Sequence, residues 1–163
     1  KDQGGHVSAF KAPVASQDSA RSATEQVAQD ALPCHREARI LLAEDDPQVR
    51  RLFVRALSKQ GWEVTAVDDG AAAIAAWPLC GESFDLVILD LLMPGVNGLQ
   101  AYQALRRWHP EARFLFVSGY SDVSIRQRIH ADGQMLLMKP LSPTALVAAV
   151  RAELSADGMR RVT

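Results

Sequence analysis

Four apolar runs end in side chains that could do chemistry. Glu44-Asp45-Asp46 follows Ile40-Leu41-Leu42-Ala43, and Asp90 closes Leu86-Val87-Ile88-Leu89. Ser118 closes Phe114-Leu115-Phe116-Val117, and Lys139, with Pro140 after it, follows the run Met135 to Met138. Several carboxylates gathered in one place repel one another unless a cation joins them. Such oxygen donors suit Mg2+, which takes few carboxylates and keeps several waters. The ion would organise phosphoryl oxygens and screen an attacking carboxylate. Lys139 would hold a phosphate as a point charge, and Ser118 could donate a hydrogen bond to a phosphoryl oxygen. Asp90 is the centre of the set, because a continuous apolar run bounded by turn residues reads as a strand buried on both faces. Open parallel sheets place their sites at the carboxyl ends of such strands.

Each residue also has a plainer account. The acids after Ala43 could cap a helix, since Asp is favoured at helix N-termini. Asp90 could be a loop acid, and Lys139 an exposed lysine before a turn. Three acids in a row exceed what one cap needs, and four coincidences at four strand ends favour a site.

The elements that must position these residues alternate along the chain. A strand at 40–43 is followed by a helix opened by Pro47, with Val49, Leu52, Phe53, Ala56 and Leu57 on its inward face and Gly61 as its stop. A second strand covers Val64 to Val67. Asp69 caps a short Ala-rich helix bearing Ile74 and Trp77, which Pro78 ends. After the Asp90 strand, Asn97-Gly98 leads into a helix reaching Trp108, with Ala101, Leu105 and Trp108 inward. The Ser118 strand is followed by a helix from about Asp122 to Ala131 that stops near Gly133. Ser142 and Pro143 cap the last helix, with Leu146, Ala149, Val150 and Leu154 inward. Five strand–helix units imply parallel pairing by right-handed crossovers. The expected fold is α/β, a flavodoxin-like doubly wound sheet of order 2-1-3-4-5 with helices on both faces. Its switch point brings Glu44-Asp45-Asp46 beside Asp90.

Composition fits one domain in 163 residues, with 48% apolar residues and a net charge of -1. That balance selects neither nucleic acid nor an acidic membrane, and no apolar run is long enough to span one. Cys34 and Cys80 show no metal or redox spacing, as expected of free thiols in a reducing cytoplasm. The four histidines have no ligand spacing. Residues 1–37, rich in Ala, Ser, Gln and Asp, read as a linker or arm in which Asp18 to Leu32 could form a helix. The candidate chemistry falls within 38–155, and 156–163 is a tail. The start has no signal-peptide core. The chain begins at Lys1 rather than Met, as a fragment or a processed product would.

From Arg39 to about Leu154 the chain resembles a response-regulator receiver domain of two-component signalling. The acidic pair of that family matches Glu44 and Asp45, with Asp46 third. Its phosphoacceptor motif matches Asp90-Leu91-Leu92-Met93-Pro94 with Gly98, its Ser/Thr matches Ser118, and its Lys-Pro matches Lys139-Pro140. The resemblance implies that Asp90 takes a phosphoryl group from a histidine kinase, a phosphotransfer protein or a small phosphodonor. It implies Mg2+ held by Asp45, Asp90 and the backbone carbonyl of Leu92, with Glu44 or Asp46 acting through water, and a cis Lys139-Pro140 bond. It also implies a downstream protein partner on the helix after Ser118, the fifth strand and the last helix. Homodimerisation is left open. The family usually places Tyr or Phe three residues before the lysine. Leu136 stands there, so the displacement expected on phosphorylation is small. Leu92 and Tyr120 flank the approach of hydrolytic water, and neither can orient it, so slow self-dephosphorylation is expected. The stretch Phe116 to Asp122 is similar to receivers at the C-terminal end of hybrid histidine kinases.

Other classes fit less well. A haloacid dehalogenase would need a second Asp where Leu92 stands. A flavodoxin would need hydroxyls, not acids, after the first strand. A DNA-reading module does not fit after the last helix. The serious alternative is a pseudo-receiver, the same fold acting as a phosphorylation-independent binding module rather than a phosphoacceptor. Neither reading is a turnover enzyme.

Overall fold

A computed structural model describes residues 37–77, 84–119 and 122–155. The expectations for the arm, the tail, Cys34, Cys80, Pro78 and Tyr120 lie outside them.

Five strands alternate with five helices: β1 (Arg39–Ala43), α1 (Pro47–Ser58), β2 (Glu63–Val67), α2 (Gly70–Ala75), β3 (Leu86–Asp90), α3 (Gly98–Trp108), β4 (Phe114–Ser118), α4 (Val123–Ala131), β5 (Met135–Met138) and α5 (Pro143–Ser155). All strand pairs are parallel, in the order β2-β1-β3-β4-β5. This is the order expected from the sequence.

Apart from Arg39, Asp90 and Ser118 at their ends, the three central strands are apolar, because helices cover both of their faces. Alternate residues point to opposite sides. Leu41, Ala43, Val87, Leu89, Phe114 and Phe116 meet Ala73 of α2, Ala101, Tyr102 and Leu105 of α3, and Ile129 of α4. Ile40, Leu42, Leu86, Ile88, Leu115 and Val117 meet Phe53 and Leu57 of α1 and Leu146 and Val150 of α5. Each fully buried Leu or Phe here contributes about 1.5–3 kcal/mol. The two layers clamp the sheet, and the sheet's carboxyl rim becomes the rigid base of the site.

The helix ends follow their local chemistry. Asp69 accepts the Ala72 N–H at 2.6 Å and starts α2. Asn97 and Gln100 exchange bonds of 2.9 and 3.0 Å in a capping box that starts α3. Asp122 accepts the Ser124 N–H at 2.8 Å, and Ser142 Oγ accepts the Ala145 N–H at 3.1 Å. Gly61 leaves α1 at φ 84°, a left-handed conformation that favours glycine.

Two inward assignments are corrected. Leu52 is 48% exposed and Trp108 is 62% exposed. The stripe of α1 that meets the sheet runs through Val49, Phe53 and Leu57 and takes in Val54 rather than Leu52. Leu52 and Ala56 instead line a groove whose far wall carries Val147 of α5. On α3 the stripe passes through Tyr102 and Leu105, and the next position on it is His109, not Trp108. The chain leaves the helix at His109, whose ring stacks on Trp77 with centroids 4.1 Å apart.

Gly98 is dictated by close approach. A Cβ there would lie 2.1 Å from the Asp90 carbonyl oxygen and 2.8 Å from its carbon. The first turn of α3 therefore rests on the main chain of Asp90 itself. Gly98→Ala should lower stability by about 1–3 kcal/mol, whereas Leu52→Ala should stay within about 0.5 kcal/mol of the parent. Urea unfolding curves of the three proteins measure both.

Candidate functional site

The strand registers assemble the site. Ala43 lies opposite Leu89, so Glu44 emerges next to Asp90. Asp90 lies opposite Val117, so Ser118 is one step further along the same rim. Ser118 lies opposite Met138, which delivers Lys139. The N–H of Lys139 donates to the Ser118 carbonyl at 2.8 Å and ties the two strand ends. The Lys139-Pro140 bond is cis.

Glu44 is 1% exposed, Asp90 3% and Ser118 0%. The Lys139 ammonium joins the two buried carboxylates, with Nζ 3.0 and 2.8 Å from the Glu44 oxygens and 2.5 Å from Asp90 Oδ2. Asp90 Oδ1 accepts the Leu92 N–H at 2.9 Å. Both oxygens of Asp90 are thus oriented by this chain. Burial pushes the Glu44 carboxyl above its ordinary range; the bond to Lys139 opposes this, and the charge of Asp90 adds to it. Burial works against the Lys139 ammonium, but the bonds and charges of Asp90 and Glu44 outweigh it and raise its pKa.

Glu44, Asp45 and Asp90 can each present an oxygen within 4.8 Å of the others. Three hard oxygen donors at that spacing fit a divalent cation such as Mg2+. Asp46 is not in this cluster. Its Oδ1 accepts the N–H groups of Gln48 at 2.7 Å and Val49 at 3.1 Å. Those two bonds, the one from Val49 the stronger influence, hold its carboxyl below the ordinary range. One of the three consecutive acids is therefore the cap of α1 and two face the site. Leu92, two residues after Asp90, is 56% exposed. Leu136 is partly buried and packs on the layer formed with α2, α3 and α4.

Sequence reasoning missed Arg50. Its Nη1 donates to the carbonyls of Glu44 at 2.6 Å and Asp45 at 3.2 Å. The available signal was its place. An arginine just inside a helix N-terminus is disfavoured by the macrodipole unless acceptors await it.

A family model described as the response regulator receiver domain matches residues 40–151. The chain belongs to that family. It is a receiver domain of two-component signalling, a phosphoacceptor class whose members bind Mg2+ at an acidic pocket and interact with histidine kinases or phosphotransfer partners. The response regulator receiver protein CpdR of Brucella abortus (strain 2308) is 34% identical over 119 residues, which are 72% of this chain and 98% of CpdR. The sensor kinase CckA of the same organism is 33% identical over 135 residues, 82% of this chain but 14% of CckA. The chain thus spans only a small part of the kinase it matches. Among solved structures, chemotaxis protein CheY4 of Vibrio cholerae is 25% identical with a TM-score of 0.64, covering 72% of this chain and 98% of that one. A receiver domain from Methanospirillum hungatei, 21% identical, shares the fold at a TM-score of 0.70, over 77% of this chain and 99% of its own. No helix among the described residues is long and apolar enough to cross a membrane.

The receiver domain's ion cluster sets its pH dependence. Glu44 has a folded pKa above its usual 4.5, so its contribution to stability is full below that pH and lost as pH rises through the folded value. Lys139 has the same sign at the alkaline end; its contribution is full below pH 10.5 and lost as pH rises through its raised value. Lys139→Met leaves two buried carboxylates without their cation. With the lysine itself a quarter exposed, the loss at pH 7 should be about 2 kcal/mol. It should shrink as pH falls toward 4.5, and the alkaline loss should vanish. Urea midpoints across pH in the presence of a chelator measure all three.

Proposed function

We propose that Asp90 is the phosphoacceptor, and that residues 38–155 form the receiver unit, flanked by an arm over 1–37 and a tail over 156–163. The observation that carries this reading is the buried Asp90 carboxylate, oriented by the Leu92 N–H and the Lys139 ammonium beside Glu44 and Asp45. An Asp90 oxygen attacks the phosphorus of a phosphohistidine or a small acyl phosphate. An oxygen–phosphorus bond forms, the donor's nitrogen–phosphorus or oxygen–phosphorus bond breaks, and the leaving group keeps the electron pair. Mg2+, held by Asp45, Asp90 and the Leu92 carbonyl, would neutralise charge on the phosphoryl oxygens. Glu44, and Asp46 through its second oxygen, would meet that ion through water.

Lys139 already lies on Asp90 and is suited to follow the charge onto the new phosphoryl group. Ser118, at the adjoining strand end, would donate to a phosphoryl oxygen. Its motion would be passed to the start of α4, and so to the face formed by α4, β5 and α5, where a protein partner would dock. Phosphate drives that shift only by binding one state better than the other. A cytoplasmic location goes with this role. The intact acceptor, hydroxyl and lysine weigh against a phosphorylation-independent binding module.

Asp90→Asn should take up no phosphate from acetyl phosphate with Mg2+, because an amide cannot act as the nucleophile. Intact mass should rise by one phosphoryl group in the parent and not in the variant; equal uptake mapped to another residue would contradict the assignment. Leu92 offers no group to orient water for hydrolysis, so the acyl phosphate should be long-lived. Leu92→Asn with Tyr120→Glu should hasten its loss, by about 10²-fold where water becomes fully oriented. Phosphate release at fixed Mg2+ from parent and double variant measures it.

A further inference from the structure

The loop that carries the acids is held by a side chain that the proposed chemistry does not use. Arg50 lies one turn into α1, half-buried, and its Nη1 reaches back to the carbonyls of Glu44 and Asp45. The carbonyl of Asp46 accepts the Arg50 N–H at 2.9 Å. All three carbonyls of the acidic loop therefore end on one residue. The Glu44 N–H is taken by the Val67 carbonyl at 3.2 Å, and the Asp46 side chain is spent on the cap of α1. A cation in this place carries two penalties. It sits near the positive end of a helix and beside a site built for another cation. Its Nη1 bonds go to main-chain carbonyls and leave the carboxylates to the site.

We propose that Arg50 is a positioning residue for the divalent-cation site. Its two bonds hold the main chain of Asp45 so that the Asp45 carboxylate stays beside that of Asp90, and this raises the affinity for Mg2+. The proposal rests on the reading of the acidic cluster as a Mg2+ site. Two effects of opposite sign compete. As a charge, Arg50 repels the ion; as a clamp, it removes the cost of ordering a ligand loop. Hydrogen-bond partners that orient metal ligands typically change affinity by about 10–100-fold. Repulsion between partly exposed charges is weakened by solvent and salt. The clamp should therefore dominate, and the direction of the change tells the two apart.

The test uses the full chain with Mg2+ as the only added ligand. Arg50→Met removes the donors and the charge at similar length; Arg50→Lys keeps a charge and donors. Affinity is read from amide chemical shifts during a Mg2+ titration, and thermal melts in a chelator report the fold without the ion. Arg50→Met should bind Mg2+ about tenfold more weakly while its chelated melt stays close to the parent's. The amides of Asp45 and Asp46, which follow the two clamped carbonyls, should shift even before Mg2+ is added. Arg50→Lys should recover much of the affinity. Equal or tighter binding by Arg50→Met would show that repulsion governs and would overturn the proposal. So would a loss that Arg50→Lys does not recover at all, or one that only follows a lost fold. A parent that binds no Mg2+ would instead overturn the reading of the cluster itself.

Discussion

Two carboxylates shut away from water cannot both stay ionised side by side without a cation between them. Glu44 and Asp90 are in that position, and the Lys139 ammonium, bonded to both, is their cation. Their attraction in a poorly solvated place is strong, but so is the cost of taking all three from water. The arrangement holds only if the three groups are delivered to one point by a stiff frame. Glu44 comes from β1, Asp90 from β3 and Lys139 from β5, with β4 between the last two. Strand order, register and the layers on both faces all serve that meeting. A slip of one residue in any central pair would turn a rim residue to the opposite face.

The same interaction links the site to the neighbouring strand ends. The Lys139 ammonium is bonded to Asp90 and Glu44 together. The main-chain N–H of Lys139 is bonded to the Ser118 carbonyl, so the ends of β4 and β5 are tied together. The far end of α4 is tied down. Tyr102 donates from α3 to Asp132 at 2.9 Å, and the Gln134 side chain bridges the Asp132 carbonyl and the Phe114 N–H. Burial, with that bond to Asp132 behind it, raises the Tyr102 hydroxyl to about 12, so it stays a donor at any ordinary pH. Among the described residues of α4, Ile129 alone is buried. The helix is therefore anchored at its C-terminal end and lightly held along the rest. Such a segment opens locally at little cost.

The acidic loop shows how one residue type can hold different roles at successive positions. Glu44 turns inward to Lys139, Asp45 faces the cation cluster, and Asp46 caps α1. The caps of α2 and α5 were legible because they depend only on neighbours within three residues. The division of labour among the three acids depends on Lys139, 95 residues beyond Glu44. Leu52 and Trp108 make the same point for apolar residues. Helical spacing identifies a face roughly 100° wide, but which flank of it is buried depends on the elements packed beside it.

By itself, the sequence determined the element order, the parallel sheet and its order, and the four strand ends that meet at the rim. These follow from local rules: apolar runs for buried strands, helical spacing between them, and the handedness of crossovers. It also placed Asp90, Lys139 and Asp45 at strand ends on one rim, because residue types and topology suffice for that. Tertiary structure alone decided that Lys139 bridges Glu44 and Asp90, that one oxygen of Asp46 caps α1, that Gly98 must admit the Asp90 carbonyl, and that Arg50 bonds the carbonyls of the acidic loop. The physical reason is common to all four. Each depends on a distance of a few ångströms between groups brought close by folding, and hydrogen bonds and ion pairs change steeply over such distances.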